Sequence, residues 1–63
     1  MNLGDLVIVK LPVACPPSIR QLWDNKTGFV IREGRRGGLK VFWIYVAEVG
    51  VGSFEPGSLR GLT

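Results

Sequence analysis

The chain has 63 residues, enough for one small domain that buries roughly 60% of the surface exposed by the unfolded chain. It contains one cysteine and no histidine, which excludes an internal disulfide and leaves no nucleophile with a base and no metal-binding cluster. We therefore expect a single non-enzymatic domain over residues 1–63, with no catalytic residue, no cofactor, no metal and no small-molecule substrate. The net charge of +3 permits contact with a polyanion and serves solubility equally well.

The apolar runs of the chain are much shorter than the roughly 20 residues of a membrane helix. A basic region followed by a hydrophobic stretch, as in an export signal, is absent from the first residues. A single cysteine fits a reducing compartment. The sequence thus predicts a soluble, cytoplasmic protein that does not associate with membranes.

The first strand is predicted over Leu6–Leu11, because Pro12 cannot donate to a strand ladder. Prolines and polar residues make 12–25 a long loop, with a brief helical turn over 18–23 that Ser18 caps. Such a loop is either an interaction element or a lid over one end of the core. Trp23, within it, either closes that end of the core or contacts a partner.

A hairpin follows the loop. The second strand is predicted over 27–33 and the third over 39–46, a stretch dense in β-branched and aromatic residues. The glycine-rich link 34–38 allows the positive φ angles that a hairpin turn requires. A short fourth strand over 51–54, a 3₁₀ turn within 55–58 and a last strand over 59–62 complete an all-β chain.

Four short motifs are spread over most of the chain. They are Gly4-Asp5-x-Val7-x-Val9, Gly28-x-Val30, Val41-x-Trp43 and Phe54-x-Pro56-x-x-Leu59. Together they resemble the SH3-like small β-barrel. The first two are similar to the KOW module of transcription and ribosomal proteins, and the whole layout resembles the small SH3-like protein of photosystem I. The resemblance implies a five-stranded barrel with a long loop after the first strand and a 3₁₀ turn before the last, and it assigns no functional residue.

Both sides of the predicted strands are apolar. The residues predicted to fill the barrel are Val7, Val9, Val30, Leu39, Val41 and Trp43. Alternation then sends a second apolar set outward. That set is Leu6, Ile8, Phe29, Ile31, Phe42, Ile44 and Val46, of which all but Val46 are predicted as interface residues. Exposed large side chains on a small monomer favour association, so we predict a protein interface with a second copy or a larger protein. The alternative is that the loop 12–25 covers this face.

Basic residues gather at the hairpin. They are Arg32, Arg35, Arg36 and Lys40. With Trp43 or Trp23 as a stacking surface, this group predicts a second function, nucleic-acid binding without base reading. The alternative is a solvated turn that keeps its glycines and arginines for geometry and solubility.

Overall fold

A computed structural model describes residues 1–62 of the chain. The elements are β1 (Leu6–Val9), α1 (Pro17–Trp23), β2 (Thr27–Arg36), β3 (Leu39–Val46), β4 (Gly50–Phe54), a 3₁₀ turn (Pro56–Ser58) and β5 (Leu59–Gly61). The five strands form one antiparallel sheet in the order β4-β3-β2-β1-β5. The predicted five-stranded β fold, with its long first connection and its 3₁₀ turn, is confirmed, and barrel closure stays a prediction. Within residues 1–62 no helix has the length and apolar character needed to span a membrane.

β2 and β3 form a long hairpin that two glycines close. Gly37 and Gly38 have φ angles of 58° and 82°, which glycine adopts without a Cβ clash. β2 runs to Arg36 rather than to the predicted Glu33, because Arg36 pairs with Leu39 across the turn. The predicted link 34–38 is therefore only a two-residue turn, and the rest of it belongs to the strand.

The connection between β1 and β2 carries α1 and is held at both ends. Val9 accepts a hydrogen bond from the backbone N–H of Asn25 at 2.8 Å, and the N–H of Leu11 donates to Asp24 Oδ1 at 2.9 Å. Asn25 has a φ of 62°, in the left-handed region that asparagine tolerates. α1 begins before Ser18 and has no side-chain cap, so the predicted Ser18 cap is wrong. The brief helical turn predicted over 18–23 is present as α1, which begins one residue earlier, at Pro17.

The core lies on one side of the sheet. Its members come from β1, β2, β3 and β5 and are all less than one tenth exposed. They are Val7, Val9, Val30, Phe42, Ile44, Val46 and Leu59. Leu11, Trp23, Val49 and Phe54 pack against this cluster from its edge. The inward direction predicted for the valines of β1 and β2 is correct.

The side chains of β3 point opposite to the predicted directions. Phe42, Ile44 and Val46 are at most 3% exposed and lie in the core, whereas the sequence placed them on the outward side. Leu39, predicted inward, is 57% exposed. Trp43, predicted to point inward, points away from the core and is partly buried on the outward side. Val41 is also buried, but it does not belong to the core cluster. The prediction of Phe42 and Ile44 as interface residues is therefore wrong.

A β-bulge in β2 explains this reversal. Val30 pairs with Ile44, and Ile31 has no partner, so β2 contains one extra residue at this point. Residues directly opposite each other in an antiparallel pair point to the same side of the sheet. The register set by the two-glycine turn would otherwise pair Val30 with Tyr45. In that arrangement the odd-numbered residues of β3 would fill the core, as the sequence predicted.

Candidate functional site

An apolar row crosses four strands on the side of the sheet away from the core. Leu6 pairs with Phe29, Phe29 with Tyr45, and Tyr45 with Val51, so these four side chains lie next to each other on one face. Phe29, Tyr45 and Val51 are 50%, 43% and 53% exposed, and Leu6 is partly buried. We call these four residues the outer row. It offers two adjacent, half-exposed aromatic rings to solvent.

Next to the outer row, Arg32 and Trp43 form a stacked pair. They are opposite each other in the hairpin, and the Arg32 guanidinium carbon lies 5.3 Å from the centre of the Trp43 ring. The ring also lies over the backbone of Gly34, where a Cβ atom would come within 2.7 Å of Trp43 Cζ3. Trp43 is thus covered from two directions. It orients Arg32 rather than offering a free surface for stacking.

A second arginine on the same side is held by a serine of β4. Arg36 Nη1 donates a hydrogen bond to Ser53 Oγ at 2.7 Å. Ser53 pairs with Trp43, which places both arginines on the outward side of the β2–β3–β4 sheet. Both are exposed, and within residues 1–62 neither forms an ion pair. We call Arg32 and Arg36 the arginine pair.

The two remaining basic residues of the predicted group lie on the other side of the hairpin. Arg35 pairs with Lys40, and Lys40 Nζ forms an ion pair of 2.7 Å with Glu33 Oε1. The Lys40 ammonium, through this hydrogen bond and its charge, lowers the pKa of Glu33 below its usual value. An open concavity of about 300 Å³ is lined by Glu33, Gly34, Arg35 and Lys40. The carboxylate makes this side less suited to a polyanion.

The charges of the two sides therefore differ. The only acidic residue within β2, β3 and β4 is Glu33, which pairs with the core residue Phe42 and so lies on the other side from the outer row. The outward positions of these three strands carry the arginine pair and no carboxylate. This side is positive and aromatic at once.

The predicted interface set is divided by the structure. Leu6 and Ile8 are partly buried on the outward side, and Phe29 and Ile31 are half exposed there. Phe42 and Ile44 belong to the core, as described above. The residues that take their places on the outward side are Tyr45 and Val51. Their outward direction could have been predicted only from the position of the bulge, which the alternation of residues along a strand does not reveal.

Trp23 packs against the edge of the core. Its ring meets Phe54 edge-on, with ring centres 5.1 Å apart and planes at 67°. A Cβ atom at Gly52 would come within 2.9 Å of two atoms of the Trp23 ring, so only glycine leaves room for it. Of the two alternatives for Trp23, the structure shows the packing one.

No protein-family model matches the chain, and neither a curated protein nor a solved structure matches it significantly. The SH3-like and KOW-like resemblance therefore stays a prediction. Among the described residues, no three His, Cys, Asp or Glu side chains come together as metal ligands would. The site with the most defined geometry is the outward side of the β2–β3 hairpin.

Proposed function

We propose that the protein is a non-enzymatic binding module that takes single-stranded nucleic acid on the outward side of its hairpin. Phe29 and Tyr45 stack on bases, and the arginine pair contacts phosphates. One observation carries the proposal, namely the two half-exposed aromatic rings beside two oriented arginines, with no carboxylate at the outward positions of β2, β3 and β4. The KOW-like resemblance of β1 and β2 supports the same reading.

The chemistry of this side suits the binding of single-stranded nucleic acid without recognition of particular bases. Stacking on an aromatic side chain contributes about 1–3 kcal/mol per base and accepts every base. Arginine forms paired hydrogen bonds with phosphate oxygens, and orientation by Trp43 and Ser53 lowers the entropy lost on binding. The edges of the bases meet no arranged set of donors and acceptors, so we expect little sequence preference.

The phosphate contacts are tested by fluorescence anisotropy with a short labelled oligonucleotide of mixed sequence. Each phosphate contact contributes about 0.7 to the slope of log K against log salt for single strands. The double variant Arg32→Ala/Arg36→Ala should therefore lower that slope by about 1.4. Its matched control is Arg35→Ala/Lys40→Ala, which removes the same charge from the other side and should keep most of the slope. Equal decreases of the slope in the two double variants would show that only net charge matters. Absence of oligonucleotide binding by the wild type at low salt would remove the proposal.

The stacking contacts have their own control within the outer row. Tyr45→Ala should weaken binding about 5- to 150-fold, the equivalent of one stacked base. Val51→Ala removes a neighbouring side chain that is somewhat more exposed but aliphatic, and binding should stay nearly unchanged. Circular dichroism confirms that each variant is folded. If both variants weaken binding alike, the row acts as apolar area and not as a stacking surface.

A second candidate function is the predicted assembly role, in which the outer row contacts another copy or a larger protein. The observation in its favour is the continuity of the row over four strands. Against self-association through the outer row, a face-to-face contact would place the arginine pairs of both copies in one interface, to which the outward positions of β2, β3 and β4 contribute no carboxylate. If this candidate is correct for self-association, sedimentation of the protein without nucleic acid should show an oligomer, and Phe29→Lys should abolish that oligomer.

A further inference from the structure

β4 forms one edge of the sheet and has an open side. It is hydrogen-bonded to β3 only, and within residues 1–62 its backbone makes no hydrogen bond beyond that ladder. An edge strand with free N–H and C=O groups is a template for pairing with another strand. The other edge, β5, has three residues and carries Arg60.

The composition of β4 offers none of the usual protection against such pairing. Natural edge strands are blunted by lysine, by proline, by bulges or by being very short. β4 has five residues, Gly-Val-Gly-Ser-Phe, with no charged residue and no proline, and its register with β3 is regular throughout. The guanidinium group of Arg36 lies against β4 at Ser53. Two antiparallel copies of β4 that pair about Val51 place their Ser53 residues four positions apart along the strand, roughly 13 Å, so that repulsion between the two guanidinium groups is largely screened. Each copy supplies the donors and acceptors that the other lacks.

From this we infer that β4 pairs with β4 of a second copy, giving a symmetric dimer with one continuous antiparallel sheet. The occupant is a second copy because β4 has no charged residue of its own and is self-complementary in hydrogen bonding. By contrast, the outer row carries flanking arginines that oppose a face-to-face contact. Val51 is the outer-row residue nearest the twofold axis, and it is 53% exposed.

The dimer has a consequence for the proposed binding side. A register that keeps the alternation of side chains lets the outer row of one copy continue into that of its partner. The sides of the two copies that are proposed to bind nucleic acid then form one surface of twice the width. This consequence rests on the proposed function, whereas the dimer itself does not.

The size of the contact determines the expected affinity. A stable interface buries about 800 Å² per partner, close to a fifth of the 4197 Å² exposed by this chain. A five-residue edge buries less, so we expect a weak dimer that forms at about 0.1–1 mM protein. Sedimentation should therefore show an average mass that rises with concentration in this range.

Two lysine variants distinguish the edge contact from a face contact. Val51→Lys places two positive charges, one from each copy, next to each other across the twofold axis. It should weaken the dimer about tenfold or more. Phe29→Lys makes the same charge change at a similarly exposed position of the outer row, but in a central strand, and should leave the dimer intact. Amide hydrogen exchange gives a second readout, because the free N–H groups of β4 should become protected only at high concentration.

Each outcome decides the proposal. Loss of the dimer in Val51→Lys alone, with concentration-dependent protection of β4, supports edge pairing. Loss in both variants indicates contact through the outer row and overturns it, as does a wild type that remains monomeric at 1 mM. None of these results depends on nucleic acid, so the two proposals can fail separately.

Discussion

Replacing Ile44 by alanine tests the orientation of β3, on which the binding side depends. Ile44 is 0% exposed and lies in the middle of the core, where its β-sheet partner is Val30. Ile31, the bulge residue, is 47% exposed on the outward side. Ile44→Ala and Ile31→Ala are the same chemical change in neighbouring strands, so the lower strand propensity of alanine affects both similarly.

The expected losses differ by several-fold. A buried isoleucine replaced by alanine costs about 2–5 kcal/mol, from the lost transfer of the methyl and methylene groups and from the cavity. A domain of this size has about 3–9 kcal/mol of unfolding free energy in total. Ile44→Ala should thus remove about a fifth of the unfolding free energy at the least, or unfold the protein. Ile31→Ala should cost about 1 kcal/mol or less.

Urea unfolding followed by the fluorescence of Trp23 and Trp43 measures both variants. For a domain this small, the slope of the unfolding free energy is about 1 kcal/mol per molar urea, so the midpoint for Ile44→Ala should fall by about 2 M or more. Far-UV circular dichroism before urea addition identifies a variant that is already unfolded. A similar loss in both variants, or the larger loss in Ile31→Ala, would refute the bulged register and with it the assignment of Tyr45 to the outer side.

Two further predictions concern close packing and charge. Gly28→Ala should destabilise the fold by about 2–3 kcal/mol or more, since the added Cβ would collide with the carbonyl oxygen of Tyr45. Its control is Gly61→Ala, whose Cβ would meet nothing within 4 Å and which should be nearly neutral in the same urea assay. The pKa of Glu33 is lowered in the folded state, so the stability from its contact with Lys40 is present above the usual pKa of 4.5 and is lost as the pH falls through the lowered value. The midpoint difference between wild type and Lys40→Ala should accordingly shrink in acid, and a difference that grows there would contradict the assignment.

The strands of this protein were predictable because their signals are local. β3 occupies the predicted residues 39–46, and β2 begins where predicted, because both are runs of strand-forming residues on either side of a glycine turn. The ends of β1 and β2 were less predictable. β2 gains three residues because its hydrogen-bonding partner on β3 continues to the turn, which is a property of the pair and not of either segment.

The candidate site was predicted only in part. Phe29 and the basic residues were named from the sequence, and their separation into two sides was not. Arg32 and Arg36 share the outward side with Trp43, whereas Arg35 and Lys40 lie opposite with Glu33. Alternation gives the relative directions of residues within one strand, but the pairing with the next strand gives their common side.

The sequence by itself determined that this chain forms five short strands around a tight hairpin, since turn residues and strand propensities act over a few neighbouring residues. Only the tertiary structure decided which residues of β3 point outward. One unpaired residue, Ile31, shifts the register of β2 against β3, and a shift of one residue exchanges the two sides of a strand. Phe42 and Ile44 thereby become core, and Tyr45 becomes part of the surface where we propose that the protein binds.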